Sequence, residues 1–237
     1  MDEGVSTYHT SAVPAVGDHD GVSHDLTAHR VTTPEDLTSA RHIHAQEYRR
    51  RGYVADSDLS DGVLSSASDP WQSQSQYFVA RANRRTIGVA RLIHADTALE
   101  LPTMMLHDLD ADVRAILERQ VRGTIAEVSA LVTLPGAPPD GLLALLSVMW
   151  RHSVAAGHVG WVFAIHPRVR THIHDLLGPV TVRFGPDQWY LGSMVVPGSL
   201  WLETARDVLG RHAVSLPSDR EKHLLSLFPV ASSRAPE

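Results

Sequence analysis

The chain has 237 residues, no cysteine and a formal net charge of -6, and 43% of its residues are hydrophobic. Without cysteine there is no disulfide framework, no thiolate zinc site and no cysteine nucleophile. Lys222 is the only lysine and lies between Glu221 and His223, so the Gly-Lys-Ser/Thr signature of a P-loop is absent. The charged surroundings of Lys222 also disfavour an amine nucleophile. The negative net charge argues against duplex nucleic acid as the main partner.

The sequence predicts a cytoplasmic protein without a membrane span. The longest apolar stretch, Leu142 to Trp150, falls short of the roughly 20 residues that cross a bilayer. Residues 1–30 are polar and aperiodic, which predicts a disordered leader and not a secretory signal. We expect one domain over residues 31–198, followed by a C-terminal helical extension and tail over 199–237.

Hydrophobic periodicity and turn residues place the predicted elements in chain order. A helix starts at Thr33 and Pro34, because a hydroxyl N-cap and a first-turn proline both favour helix initiation, and it runs to Arg51. A loop rich in Asp and Ser follows over 53–75, and loops of that length are commonly functional or disordered. The later predicted elements are a β-hairpin (76–81 and 86–93), a helix (110–122), a strand (124–132), a helix (139–156), a strand (160–165), a helix (168–177), two strands (180–184 and 189–196) and two helices (200–209 and 220–227). This order predicts an α/β fold, a single domain with a mixed central sheet and helices on both faces.

Four short segments, taken in order, carry a resemblance to a known family. They read Tyr-Arg-Arg-Arg-Gly-Tyr at 48–53, Ile-Gly-Val-Ala-Arg-Leu at 87–92, Glu-Leu-Pro at 100–102 and Ala-Glu-Val-Ser at 126–129. Over 34–194 the chain resembles the N-acyl amino acid synthases and their relatives, the acyl-homoserine-lactone synthases, which have the Gcn5-related N-acyltransferase (GNAT) fold. The resemblance implies acyl transfer from a thioester, usually on the pantetheine of an acyl carrier protein, to an amine.

Glu127 is the predicted general base. It lies between apolar Ala126 and Val128 on a predicted strand, so its side chain can be half-buried with a raised pKa. An amine that attacks a thioester must be neutral and loses a proton on becoming an amide, so a carboxylate of that kind suits the reaction. Backbone N–H groups near Ser129 and Ala130 are predicted oxyanion donors if the strand splays there. The alternative is that Glu127 is a surface residue on the solvent face of the strand.

The turn after this strand bears on the acyl donor. Relatives that use acetyl-CoA carry an Arg/Gln-x-x-Gly-x-Gly/Ala run whose amides bind pyrophosphate at a helix N-terminus. Here the turn over 134–141 has no arginine, Pro138 and Pro139 lack N–H donors, and Asp140 repels phosphate. These features favour a carrier protein over coenzyme A; the alternative is a plain proline-rich loop with an Asp cap.

His174 stands four residues before Gly178, where the wider acyltransferase fold often has a tyrosine that protonates the departing thiolate. A histidine can serve the same role near neutral pH; the alternative is a helix-face histidine favoured by the helix dipole. No metal site is predicted, because the His-Ile-His pairs at 42–44 and 172–174 point to different sides of a helix.

Arg91 resembles the arginine of the family's Arg-Leu motif. It either binds a substrate carboxylate or fixes the first helix through Glu47, Asp56 or Asp58. The long loop is predicted to close over the substrate with Trp71 as its apolar latch. The predicted substrate-binding residues are Tyr48, Arg51, Asp58, Trp71 and Arg91.

The acyl chain requires an apolar tunnel. Five residues on the helix over 139–156 and on the next strand are assigned to this tunnel: Leu142, Leu145, Leu146, Met149 and Trp161. The alternative is that this apolar stripe forms ordinary core. Acyl-homoserine-lactone synthases carry an arginine directly after Glu-x-Ser that helps to bind S-adenosylmethionine. Ala130 occupies that place here, which argues against this cofactor.

The sequence therefore predicts an N-acyltransferase that moves a medium or long acyl chain from an acyl-carrier-protein thioester to the amine of an amino acid or a similar small molecule. No tightly bound cofactor is predicted. The donor is the 4'-phosphopantetheine thioester of the carrier protein or, less favoured, a coenzyme A thioester. The alternatives are an acetyl-CoA-dependent N-acetyltransferase of the same fold and a non-catalytic module that binds acyl groups or carrier proteins.

Overall fold

A computed structural model describes residues 26–229. The strands are β1 (Leu26–Arg30), β2 (Leu59–Ser60), β3 (Val63–Leu64), β4 (Ser75–Ala82), β5 (Arg85–His94), β6 (Ile125–Thr133), β7 (Gly160–Ile165), β8 (Val182–Arg183), β9 (Gln188–Tyr190) and β10 (Ser193–Trp201). The helices are α1 (Pro34–Arg50), α2 (Pro102–Leu106), α3 (Ala111–Glu118), α4 (Asp140–Ala156), α5 (Pro167–Leu177), α6 (Leu202–Ala213) and α7 (Ser218–Leu227).

The main sheet has the strand order β1-β4-β5-β6-β7-β10-β8, with β9 paired to β10. Neighbouring strands are antiparallel except for β6 and β7, which are parallel and are connected through α4. Strands β2 and β3 form a separate hairpin. The predicted α/β class with a mixed central sheet is confirmed.

Both faces of the sheet are covered by helices, as predicted. Along β4, side chains alternate between the faces because successive residues of a strand point to opposite sides. Tyr77 and Val79 pack with α1 on one face, whereas Phe78 and Ala80 belong to the large core under α4. Helix α1 therefore packs on the face of the sheet opposite α4.

Helix α1 begins as the sequence predicts. The Thr33 hydroxyl accepts a hydrogen bond from the Asp36 N–H at 3.1 Å, and Pro34 occupies the first turn. Acidic residues at its first turn and Arg49 and Arg50 at its last turn both complement the helix dipole. These contacts fix where α1 begins, and Tyr48 lies in its last turn.

Three segments differ from expectation. Strand β1, which forms the edge of the sheet, occupies the end of the predicted leader; residues 1–25 lie outside the described part of the chain. The loop over 53–75 contains the β2–β3 hairpin. The expected boundary at 198 falls inside β10, and α6 and α7 bury Leu209 and Phe228 in the main core. For β1 and the C-terminal helices the stabilising contacts are between distant parts of the chain, which local periodicity does not report. The β2–β3 hairpin is local, but its strands have only two residues each, too few to show a period.

The C-terminal helix is attached to α4 by two side-chain hydrogen bonds. Ser147 donates its hydroxyl to the Leu227 carbonyl, and Trp150 donates its indole N–H to the Pro229 carbonyl, both at 3.0 Å. The segment predicted as an extension is thus part of the packed domain. Over residues 26–229, no helix is long and apolar enough to cross a membrane.

Candidate active site

A cleft opens where the parallel strands β6 and β7 part. Their pairing covers only three positions and ends at Glu127 opposite Val162. Beyond this point β7 stays paired to β10, while the cleft, about 200 Å³ in volume, is lined by Val128 to Val132 on one side and by Ala164 to His166 on the other. One edge of β6 is therefore left without a strand partner inside the cleft.

A bulge in β6 accompanies the opening. Ala130 has a φ of 48°, a left-handed conformation, and the pairing of β5 with β6 shifts register between Val89 and Arg91. Between these pairs β6 has two residues where β5 has one, and an extra residue of this kind bends the strand that carries it. The strand therefore splays at the place where the sequence predicted oxyanion donors.

Substitutions of Ala130 test this geometry. Glycine adopts a positive φ without the steric cost of a Cβ atom, so Ala130→Gly should raise the free energy of unfolding by up to about 1 kcal/mol. Ala130→Val should lower it, because a β-branched residue fits this backbone poorly. Urea unfolding of wild type, Ala130→Gly and Ala130→Val measures the two changes in the free energy of unfolding. Equal stability of all three would show that the backbone is not held in this conformation.

Glu127 lies on the floor of the cleft with 5% of its surface exposed. Its Oε2 atom accepts a hydrogen bond from the Thr103 N–H of α2 at 2.7 Å. Burial raises the pKa of this carboxyl to about 8, while Thr103 and the charge of Arg91 act in the opposite direction. At neutral pH the protonated form of Glu127 is therefore favoured. The alternative of a solvent-facing Glu127 is excluded.

Arg91 forms a buried ion pair beside the cleft. One terminal nitrogen donates to Asp69 at 2.6 Å, and the other donates to the Ser129 hydroxyl at 3.0 Å. The partner of Arg91 is thus Asp69, and not Glu47, Asp56 or Asp58. Both terminal nitrogens are engaged, so Arg91 fixes the loop and β6 against each other.

The C-terminal end of α1 supplies an aromatic wall. The rings of Tyr48 and Tyr53 meet edge to face with centroids 5.4 Å apart, and both line the cleft. Tyr48 is supported from behind by His44, whose Nδ1 lies 3.0 Å from the Tyr77 hydroxyl. Burial, and then the charge of Arg91, hold the pKa of His44 well below its usual value, so this histidine is a neutral packing residue.

The other predicted substrate-binding residues divide between the cleft and the loop. Arg51 and Trp71 line the cleft; Trp71 donates its indole N–H to the Glu100 carbonyl at 3.3 Å. Asp58 lies outside it, because its carboxylate accepts hydrogen bonds from the Ala55 N–H and the Ser68 hydroxyl. Asp58 organises the loop and does not face the cavity.

His174 and the five predicted acyl-pocket residues also lie away from the cleft. The Nε2 atom of His174 is 2.6 Å from the Thr181 hydroxyl, which Arg170 also contacts. The five apolar residues belong to the packed core under α4 and do not line the cleft: Leu142, Leu145, Leu146, Met149 and Trp161. For these five the structure favours the ordinary-core alternative.

Several cleft residues were not found from the sequence, and besides Asp69 three of them have titratable side chains that the predicted site lacked. Tyr190 of β9 lines the cleft, and burial, together with the charges of Tyr48 and Glu127, raises its pKa to about 12. His107 and His166 line it as well. No local motif marks these residues, because β9 and the segment after α2 reach the site only through tertiary packing. Among residues 26–229 no group of His, Asp or Glu side chains is placed to hold a metal ion.

The mixed sheet, its parted parallel strands and the buried carboxylate in the opening define a GNAT-like acyltransferase fold. The chain belongs to the N-acyl amino acid synthase FeeM family, whose sequence pattern matches residues 39–190. The family comprises acyltransferases related to the acyl-homoserine-lactone synthases. No curated protein matches the chain.

Solved structures share the fold at low sequence identity. FeeM, an N-acyl amino acid synthase from uncultured soil microbes, is 16% identical with a TM-score of 0.61, over 78% of this chain and 96% of that one. The CoA-dependent acyl-homoserine lactone synthase BjaI is 18% identical with a TM-score of 0.58, over 84% and 98%. The synthase LasI is 14% identical with a TM-score of 0.56, over 76% and 91%. These likenesses establish the fold.

Proposed function

We propose that this protein transfers a medium or long acyl chain from the thioester of an acyl carrier protein to the amine of an amino acid or a similar small molecule. The observation that carries the proposal is a carboxyl group with a pKa of about 8, buried where two strands part in a cleft. A carboxylate desolvated in this way is a stronger base than one in water. A general base is the group that aminolysis of a thioester requires.

In the proposed reaction Glu127 takes a proton from the acceptor ammonium, and the neutral amine attacks the thioester carbonyl. The negative charge on the carbonyl oxygen is stabilised by backbone N–H groups near Ser129 on the unpaired edge of β6. The hydroxyl of Tyr190 stays protonated at neutral pH and is a further donor. The acyl group never rests on the protein, in keeping with a chain that has no cysteine.

The two substrates occupy different parts of the cleft in this proposal. Arg51 and His166 give one end a positive charge or hydrogen-bond donors suited to a carboxylate of the acceptor. The apolar side chains of β6, β7 and α5 accommodate the first carbons of the acyl chain, with Leu131, Ile165 and Val169 among them. This arrangement replaces the predicted tunnel under α4.

The carrier protein is preferred over coenzyme A because of the turn that leads into α4. Pro139 is the N-cap residue of α4 and makes no side-chain cap, Pro138 precedes it, and Asp140 is in the first turn. Two residues without N–H groups and one carboxylate form a poor site for pyrophosphate. BjaI is described as CoA-dependent, so a coenzyme A donor is the second candidate.

The test offers the purified protein matched donors: acyl carrier protein and coenzyme A loaded with the same C8 to C16 chains, each with a panel of amino acids and amines. Free thiol and N-acyl product are measured together. We expect product from the carrier thioester, with kcat/KM at least about tenfold above that of the coenzyme A thioester. If no pair releases thiol above background while circular dichroism shows folded protein, the proposed function is wrong. If coenzyme A is the better donor, only the carrier assignment is wrong.

A further inference from the structure

Three exposed apolar residues lie together on the hairpin of β9 and β10, and none has a role in the reaction described so far. Trp189 has 72% of its surface exposed, Leu191 41% and Met194 36%. Trp189 and Met194 are directly paired across the hairpin, so their side chains lie side by side on one face. Leu191 stands in the turn between the two strands. Single exposed apolar side chains are ordinary on a protein surface, but a contiguous group that includes a tryptophan indicates an interaction surface.

The hairpin borders the cleft. Tyr190 lines the cavity and Trp189 does not, because successive residues of a strand point to opposite sides. Leu191 in the turn lines the cavity as well. The turn also approaches the end of α1, since a Cβ atom at Gly192 would lie 3.5 Å from the Gly52 carbonyl oxygen. One face of the hairpin is therefore a wall of the cleft, and the other face presents Trp189 to solvent.

The apolar face of the hairpin also adjoins the start of α5. Val196 of β10 pairs with Ile165, the last residue of β7. Met194 therefore extends past the end of β7, toward the segment in which the chain enters α5. Arg168 lies in the first turn of this helix and is exposed. The register of the sheet thus brings an arginine into the neighbourhood of the apolar pair.

Positive charge at this end of the cleft is only partly neutralised. Burial, and then the charges of Arg168 and Arg51, lower the pKa of His166, so both guanidinium groups lie close to this cleft residue. No ion pair within residues 26–229 involves Arg168. The Nε atom of Arg51 is 3.6 Å from the Glu47 carboxylate, which Arg50 already binds at 2.7 Å. In a chain with a net charge of -6, this is a local excess of positive charge beside an apolar surface.

We propose that Trp189, Met194 and Arg168, named the hairpin face below, form the docking surface for the acyl carrier protein. This inference rests on the proposed function. It assigns the carrier to residues outside the cleft, so it can fail while the acyl transfer itself stands. A carrier protein bound at the hairpin face has its pantetheine arm at the mouth of the cleft, where Leu191 forms part of the lining.

The position and the charge of the hairpin face favour this occupant. The face adjoins the cleft, and of the two proposed substrates only the carrier thioester has a protein surface. Carrier proteins are acidic, so Arg168 and Arg51 have the complementary charge, which speeds association and favours the correct partner. Asp187, the acidic residue closest to Trp189 in sequence, is bound to Arg183 at 2.6 Å and so opposes this attraction little. Trp189 supplies an apolar anchor of the kind that protein contacts bury at their centre.

The experiment offers each variant one acyl chain on two donors, the intact carrier protein and pantetheine alone. Both donors have the same reacting atoms, but pantetheine has no protein surface to dock. Trp189→Ala and Arg168→Glu should each raise KM for the carrier thioester by about tenfold or more, with kcat within about twofold of wild type. With the pantetheine thioester, kcat/KM should stay within about twofold of wild type. The effect of Arg168→Glu should shrink at about 0.5 M salt, because salt screens exposed charges.

Val214→Ala is the matched control. Val214 has the same 72% exposure as Trp189, but it follows α6 and does not line the cleft. This variant should keep wild-type KM and kcat with both donors. If Trp189→Ala does not fold, Arg168→Glu, a change of an exposed side chain, still tests the docking surface.

Other results would overturn the proposal. An unchanged KM for the carrier thioester in both variants would exclude docking at the hairpin face, and an equal loss with both donors would show that these residues support the cleft itself. A wild-type dimer that Trp189→Ala converts to a monomer in sedimentation would assign the face to a second copy of the chain. Binding of wild type to phosphatidylglycerol vesicles, lost in Trp189→Ala, would assign it to a membrane. Wild-type protein that releases thiol from neither donor would instead refute the proposed function.

Discussion

Glu127→Gln should lower kcat/KM for acyl transfer by about 10²- to 10⁴-fold, the range expected for loss of a general base. Glutamine keeps an acceptor oxygen for the Thr103 N–H, so the loss reports the missing basicity and leaves the neighbouring contact in place. Because the pKa of Glu127 is about 8, wild-type activity should rise with pH through that value. The residual activity of the variant should lack this rise. A variant with wild-type kcat/KM would exclude Glu127 as the base.

The same substitution should change stability in a pH-dependent way. The pKa of Glu127 is higher in the folded protein than in the unfolded chain, where it is near 4.5. The folded state therefore binds more protons between these values, and stability falls as pH rises from 4.5 to 8. Glutamine carries no charge to desolvate, so the melting temperature of Glu127→Gln should exceed that of wild type at pH 9 and match it near pH 4.5. If the difference in melting temperature between Glu127→Gln and wild type is the same at pH 9 and at pH 4.5, Glu127 is not a buried ionisable group.

Asp69→Ala should cost about 3–5 kcal/mol of stability, because it leaves the buried Arg91 guanidinium without its counter-charge. Thermal unfolding followed by circular dichroism should show a melting temperature lower by about 10 °C or more. The double variant Asp69→Leu/Arg91→Met should recover much of this loss, since an apolar pair of similar volume needs no desolvated charge.

A surface pair provides the control. Arg183 and Asp187 lie at the same 2.6 Å separation but with about half of each side chain exposed, 46% and 45%. Asp187→Ala should change stability by less than about 1 kcal/mol. If the Asp69 and Asp187 variants lose equal stability, burial of the Arg91 pair contributes nothing, and the double variant should then show no recovery.

Much of the fold can be predicted from local sequence, because Thr33 and Pro34 start α1 and Gly157 ends α4 through backbone preferences that neighbouring residues determine. Glu127 could be found because a charged residue between apolar neighbours on a strand is itself a local signal. Tyr190 and His107 could not, because they reach the cleft through pairing of β9 with β10 and packing of α2. The acyl-pocket prediction had the same weakness: an apolar stripe on α4 does not indicate whether it faces a cavity or a core.

Strand β1 shows a different limit of local sequence. Its five residues, Leu-Thr-Ala-His-Arg, alternate apolar and polar side chains over only four positions and include a single β-branched residue. The segment becomes a strand because the outer edge of β4 offers backbone hydrogen bonds along its length. The pairing partner of β1 is more than 40 residues away in sequence. Its strand conformation therefore depends on pairing with β4 more than on the intrinsic propensity of its residues.

The buried pair of Arg91 and Asp69 also constrains how substrates enter. Asp69 and Trp71 belong to the loop that was expected to swing open and shut. Any wide movement of that segment separates Asp69 from Arg91 and brings water to a guanidinium that is otherwise dry, at a cost of several kcal/mol. In the proposed reaction we therefore expect this loop to stay in place during turnover. A long acyl chain would then enter between β6 and β7, beyond the point where their pairing ends.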